Sequence, residues 1–200
     1  MPDLSPFGWE GLLDITQKPF SLRVKDPKSK EGTVLFDTMG LPLGFAEYFT
    51  RFGLNMQTDK ATPGIWGLGE QFGTDIFVKD GIYTQWDADR ADPVATGQLP
   101  GANAYGTHPF WMYKSKGNFV GMFFNNVNAM DHVLKSGADG AKSLVTTTTG
   151  GRIDLLVFID VDPNSVIRKY HNTIGTPVVI PRWALGWHQC RWGIKSTAEL

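Results

Sequence analysis

Residues Ile180 to Leu200 read IPRWALGWHQCRWGIKSTAEL, and two features of that stretch set the expected architecture. The run Trp183 to Trp192 is rich in tryptophan and lacks regular alternation, the pattern of a strand covered on both faces. Gly193 follows, and then Ser196-Thr197-Ala198-Glu199 has the S-x-x-E spacing of a helix capping box. There the serine oxygen accepts a free N–H three residues on while the glutamate reaches back. A buried strand that feeds a capped helix opens a βα unit. A second, larger domain is therefore expected to begin at residue 181, with the chain ending as its first helix starts.

Working back from there, Asp162-Pro163-Asn164-Ser165 has an acidic cap and a proline in the first turn, and Gly175 supplies a stop. This predicts a helix whose Val166, Ile167, Tyr170 and Ile174 share one face. Upstream the pattern changes to short runs split by turn residues. Phe20, Leu22 and Val24 alternate with Ser21 and Arg23, which is the period of a half-buried antiparallel strand. Further strands are expected at Leu12–Ile15, Thr33–Phe36, Ile76–Val78, Tyr83–Trp86, Phe119–Phe124, Leu144–Thr149 and Ile153–Ile159. Short strands at regular spacing predict a sandwich. The expected order is thus a β-sandwich over residues 1–161, a connecting helix and linker over 162–180, and a first βα unit over 181–200.

Composition narrows the class of function. Net charge is −1, from 19 basic and 20 acidic residues with no long run of either sign, so no electrostatic footprint for nucleic acid is expected. No stretch approaches the roughly 20 apolar residues of a membrane span. Met1 to Glu10 lacks the basic and apolar regions of a signal peptide, and the compartment stays open. The single Cys190 excludes an internal disulfide and reads as a small hydrophobe. His108, His132, His171 and His188 show no zinc-ligand spacing. Gly64 to Gly73 invites a dinucleotide reading, but Phe72 stands where the third glycine belongs, and a strand-like run follows. A glycine-bent strand is expected there instead, and no cofactor.

The loop from Gly81 to Phe110 is the most informative for function. After Trp86 come Asp87, Asp89 and Asp92 among small residues, and then a Pro/Gly-rich excursion. Ala91 and Asp92 break the calcium-loop pattern, so no metal is expected. A carboxylate on a long loop is well placed to accept hydrogen bonds from sugar hydroxyls.

Several blocks, taken in order, carry a resemblance: Trp66-Gly67-Leu68-Gly69-Glu70, Asn103 to Phe110, Asn126-Val127-Asn128-Ala129-Met130-Asp131, Thr149 to Asp154, Tyr170 to Pro177 and Pro181 to Gly193. Together they resemble the α-glucosidases of glycoside hydrolase family 31. The resemblance implies a mainly β fold: an antiparallel, galactose mutarotase-like sandwich followed by the first strand of a truncated (β/α)8 barrel. It also implies a carbohydrate substrate, a glucoside or oligosaccharide, and a partner surface in the remainder of the barrel. Secretory, lysosomal and ER locations are all compatible with it.

By the same resemblance Asp89, in the W-x-x-D position of Trp86-Asp87-Ala88-Asp89, binds the sugar where cleavage happens. The family often has a hydroxyl residue two places later, where this chain has Ala91. Trp192 matches an aromatic residue that borders the sugar subsite. Arg191 and Trp192 also stand at the predicted C-terminal end of a barrel strand, where barrel chemistry gathers, although buried packing explains both equally well. Hydrolysis with retention needs two carboxyls about 5–5.5 Å apart. The family's nucleophile block, W-x-D-M-N-E, does not occur in these 200 residues, so no catalytic acid is assigned and the chain alone is expected to be inactive. Two alternatives remain at this point: a stand-alone carbohydrate-binding sandwich, and a lyase or transglycosylase on the same scaffold.

Overall fold

The period-two runs near the amino terminus pair with one another as hairpins. In the computed structural model, which describes residues 11–71, 77–87, 102–137, 140–189 and 193–199, β1 (Leu13–Gln17), β2 (Phe20–Lys25) and β3 (Val34–Asp37) form an antiparallel meander. The charged turn between β2 and β3 is the solvated loop its composition predicts, with Lys25 Nζ 2.8 Å from Asp14 Oδ2. The sheet continues through β4 (Leu43–Ala46), β5 (Phe49–Met56), β7 (Gly81–Gln85), β10 (Met130–Ser136) and β11 (Lys142–Thr148). Its order is β1-β2-β3-β5-β11-β10-β7, with β4 also paired to β5. A second, four-stranded sheet has the order β12-β9-β8-β6, from β6 (Ile65–Gly67), β8 (Phe110–Ser115), β9 (Asn118–Phe124) and β12 (Leu155–Asp160). All pairings are antiparallel, and the architecture is the expected β-sandwich.

Alternation decides which side chains meet between the sheets. Leu54 faces Leu144 on the large sheet, while Trp111, Tyr113, Val120 and Met122 line the inner face of the small one, and all are buried. Phe52 and Phe124 meet across the gap with ring centroids 4.9 Å apart. Each such side chain stabilises the fold by about 1.5–3 kcal/mol when fully withdrawn from water. The core also contains polar groups. Tyr113 Oη donates to Leu35 O at 3.1 Å, and His132 Nδ1 is 2.9 Å from its cross-strand partner Thr146 Oγ1.

Helix α1 (Pro163–Ile174) covers the outer face of the small sheet. Its start is the predicted one: the Asp162 carboxylate accepts from Ser165 N at 2.9 Å, and Pro163 occupies the first turn. Val166 is fully buried over Gly121, where an added Cβ would lie 2.5 Å from Val166 Cγ1. The glycine lets the helix approach. Ile174, expected on the same face, is half exposed at the last residue of the helix.

The glycine-bent strand is as expected. Gly67, Leu68 and Gly69 all have positive φ, and a Cβ on Gly67 would meet Phe110 O at 2.4 Å. Val78 returns to bridge Ile65, while Ile76 lies outside the described residues.

The carboxyl-terminal segment departs from expectation. Where a strand is predicted from Trp183, residues Arg182–Leu185 form a 3-10 helix, and no strand follows among the described residues to 189. A doubly covered parallel strand takes its hydrogen bonds from neighbours on both sides. No described strand lies beside this one, so the segment bonds to itself, Ala184 N to Pro181 O and Gly186 N to Trp183 O. Trp183 and Trp187 are then 74% and 90% exposed. The capping box forms in part: Glu199 reaches back, but to Lys195 N at 3.0 Å, and Thr197–Glu199 is a single 3-10 turn.

Candidate functional site

A cleft of about 450 Å³ opens at the end of the sandwich where β7 finishes and β10 begins. Its walls include Trp86 and Asp87 after β7, His108 and Pro109 before β8, the Asn125–Ala129 loop after β9, and Tyr170 of α1. Tyr83 and Gln85 are buried, so alternation turns Trp86 outward, and it is 61% exposed at the mouth.

Asn126 is the central tie of the Asn125–Ala129 loop. Asn126 Nδ2 donates to Gly150 O at 2.9 Å and Arg152 O at 3.3 Å, while its Oδ1 accepts from Asn128 N at 2.8 Å. Gly151, at φ 81°, makes this possible, because a Cβ there would lie 2.5 Å from Asn126 Nδ2. Asn125 Nδ2 reaches Asp154 Oδ2 at 3.0 Å. These bonds fix amide groups at the rim.

The segment that leads into Thr107 and His108 of the cleft wall is clamped as well. Glu70 exchanges backbone bonds with Ala104 and Gly106, and its carboxylate accepts from Gly106 N at 2.7 Å. Asn103 Nδ2 donates to Trp86 O at 2.8 Å, tying the two ends of the long loop together. The blocks Trp66–Glu70 and Asn103–Phe110, far apart in sequence, are one structural unit. Beneath them Gln85 is buried; its Nε2 donates to His108 O at 3.3 Å, and its Oε1 has no partner among the described residues.

Exposed aromatic surface, fixed amides and a carboxylate around an open cleft suit a polyhydroxylated ligand, whose hydroxyls both donate and accept and whose ring faces pack on indole. Among the described residues no His/Cys/Asp/Glu group has metal-binding geometry. Asp89, Arg191 and Trp192, the residues singled out from sequence, all lie outside the described residues. The structure does place Trp86 and Asp87, the residues that lead into Asp89, at the cleft. Tyr170 and the asparagine loop were recognised only as helix face and as a block of resemblance. The polar, turn-forming repeat Asn125-Asn126-Val127-Asn128 was the one signal of a shaped rim.

No protein-family profile matches the chain. The lysosomal alpha-glucosidase of Mus musculus is 35% identical over 188 residues, covering 93% of this chain and 18% of that protein. The intestinal sucrase-isomaltase of Rattus norvegicus is 30% identical over 205 residues, all of this chain and 10% of that one. The chain belongs to glycoside hydrolase family 31. A GH31 dextranase of Flavobacterium johnsoniae, solved with glucose, superposes with a TM-score of 0.63 at 20% identity over 84% of this chain and 19% of its own, a likeness of fold. The family 31 chain described here thus spans under a fifth of the length of these curated relatives.

Proposed function

We propose that this chain supplies the sandwich and substrate loop of a retaining α-glucosidase-like glycoside hydrolase acting on O-glycosidic bonds. Residues 1–161 are the sandwich domain, 162–180 the connecting helix and linker, and 181–200 the first βα unit of the catalytic barrel. The observation that carries this reading is the cleft, in which Trp86 and Asp87 sit at the root of the loop bearing Asp89. Asp89 accepts hydrogen bonds from the sugar at the cleavage subsite, and Arg191 and Trp192 border the same sugar from the barrel side. The two catalytic carboxyls come from later barrel strands, so these 200 residues bind and orient but do not cleave.

The test is direct. The purified chain is expected to release no product from a chromogenic α-glucoside above a mock-purified control, yet to bind maltose weakly by NMR titration, with Trp86→Ala abolishing the shifts at the cleft. Turnover by the chain, or maltose shifts unaffected by Trp86→Ala, would overturn the assignment.

A further inference from the structure

A second cavity, of about 460 Å³, lies on the outer face of the large sheet, away from the cleft. Its floor is a single rung of side chains in register across four strands: Asp37 pairs with Asn55, Asn55 with Ser143, and Ser143 with Lys135. Their neighbours Phe36, Leu54, Leu144 and Leu134 are buried in the core, so alternation aims all four outward. The rung spans about 14 Å, three strand spacings, and stands about 17 Å along β10 from the cleft end.

The rung has walls. On one side Leu41 folds down onto the sheet because Gly53 leaves it room; a Cβ there would lie 2.7 Å from Leu41 Cβ. On the other the turn after β10 is anchored by Thr58 Oγ1, which donates to Gly140 O at 2.7 Å. Asn55 is held in place, with Nδ2 donating to Asp37 Oδ1 at 2.9 Å and Met39 O at 2.8 Å. That leaves Asn55 Oδ1 facing the groove. The side chains of Gln57, Ser143 and Lys135 make no hydrogen bond or ion pair within the described residues.

Charge selects the ligand class. Lys142, which also borders the groove, is neutralised by Asp80 at 3.2 Å, and Asp80 also accepts from Ser136 N and Oγ. One carboxylate and one ammonium remain at opposite ends, with an amide and a hydroxyl between them. An anion would meet Asp37, and an apolar ligand would strand the amides. Sugar hydroxyls donate and accept at once, so a line that runs from acceptors at Asp37 and Asn55 Oδ1, through the Ser143 hydroxyl, to a donor at Lys135 matches them. We infer that this groove is a second carbohydrate site, which holds a short neutral oligosaccharide across β3, β5, β11 and β10. This inference stands apart from the role proposed for the cleft.

Hydrogen bonds to an uncharged ligand on a face open to water give weak binding, with Kd about millimolar. The test is a two-site NMR titration of the full 200-residue chain with maltotriose, and with inorganic phosphate as the anion arm. Saturable shifts are expected at the backbone amides of Asn55, Gln57, Lys135 and Ser143, separate from those at the cleft. Lys135→Ala with Gln57→Ala should weaken this site about tenfold without moving Tm, since neither side chain is bonded within the fold. Trp86→Ala should leave these shifts in place, so a failure of the cleft reading is told apart from a failure here. Maltotriose shifts confined to the cleft, groove shifts unchanged in the double variant, or shifts caused by phosphate and not by maltotriose would each overturn the inference.

Discussion

The Tyr170 ring stacks on Phe110 with centroids 4.4 Å apart and an interplanar angle of 27°, and so joins helix α1 to the small sheet. Phe123 and Phe158 meet the same ring edge-on at 5.3 and 6.1 Å. Tyr170 also lines the cleft, so one side chain couples helix docking to the site. Tyr170→Ala should cost about 2–3 kcal/mol, less than the 3–5 typical of a fully buried aromatic ring. Tyr170→Phe keeps the ring and should change stability little. Urea denaturation measures both, and equal stability of the Ala variant and the wild type would show that the stack does not hold the helix.

His132 gives the sandwich a sensitivity to acid. Burial holds its imidazole neutral and lowers its pKa from 6.5 to about 3. The folded state therefore binds fewer protons than the unfolded chain between those values, and the contribution is fully present above pH 6.5 and declines as pH falls towards 3. Stability should drop by about 1.4 kcal/mol per pH unit in that window, or about 2 kcal/mol from pH 6.5 to 5. The lowered carboxylates Asp80, Asp160 and Asp162 act only at lower pH, near and below their ordinary 3.8. His132→Leu should flatten the slope of urea midpoint against pH between 7 and 5. An unchanged slope would assign the acid sensitivity elsewhere.

The substrate loop is tested in an enzyme that includes the barrel. If Asp89 accepts from sugar hydroxyls, Asp89→Ala removes bonds worth about 1.5–3 kcal/mol and lowers kcat/KM roughly ten- to a hundredfold, with Tm unchanged. Asp87→Ala and Asp92→Ala are the controls. Small, equal effects at all three positions would make them solvated loop acids.

Ending the chain near Pro181 should raise its soluble yield. Trp183, Leu185 and Trp187 are 74%, 74% and 90% exposed, and large exposed apolar side chains invite association. Size-exclusion chromatography of chains ending at residues 180 and 200 gives the comparison. No gain in monomer would mean that this segment is harmless on its own.

Much of the sandwich was legible, in β2 from clean alternation and elsewhere from short strand-like runs set between turn residues. β2, β9, β11 and β12 fall on the predicted runs, and Asp162 and Gly175 mark the helix ends because capping is local chemistry. β5, β8 and β10 were passed over. Phe49–Met56 interleaves arginine and glycine with its apolar residues, and Met130–Ser136 buries a histidine, so their pattern resolves only once neighbouring strands supply the packing. The same dependence explains the tryptophan run at 183: a sequence suited to burial on both faces acquires strand geometry from its neighbours, not from itself. The rim of the cleft was hardest to read, because Asn126 bonds to residues 24 and 26 positions away.

The bond from Asn103 Nδ2 to Trp86 O has an evolutionary corollary. It closes the base of the insertion between residues 86 and 103, and Glu70 braces the returning strand independently of whatever lies between. With the base closed in this way a change of loop length is cheap, since doubling a loop adds only about 0.6 kcal/mol of closure entropy. Residues 86 and 103 are therefore natural graft points, where a loop of another length can be joined without unpicking the tie between the two ends.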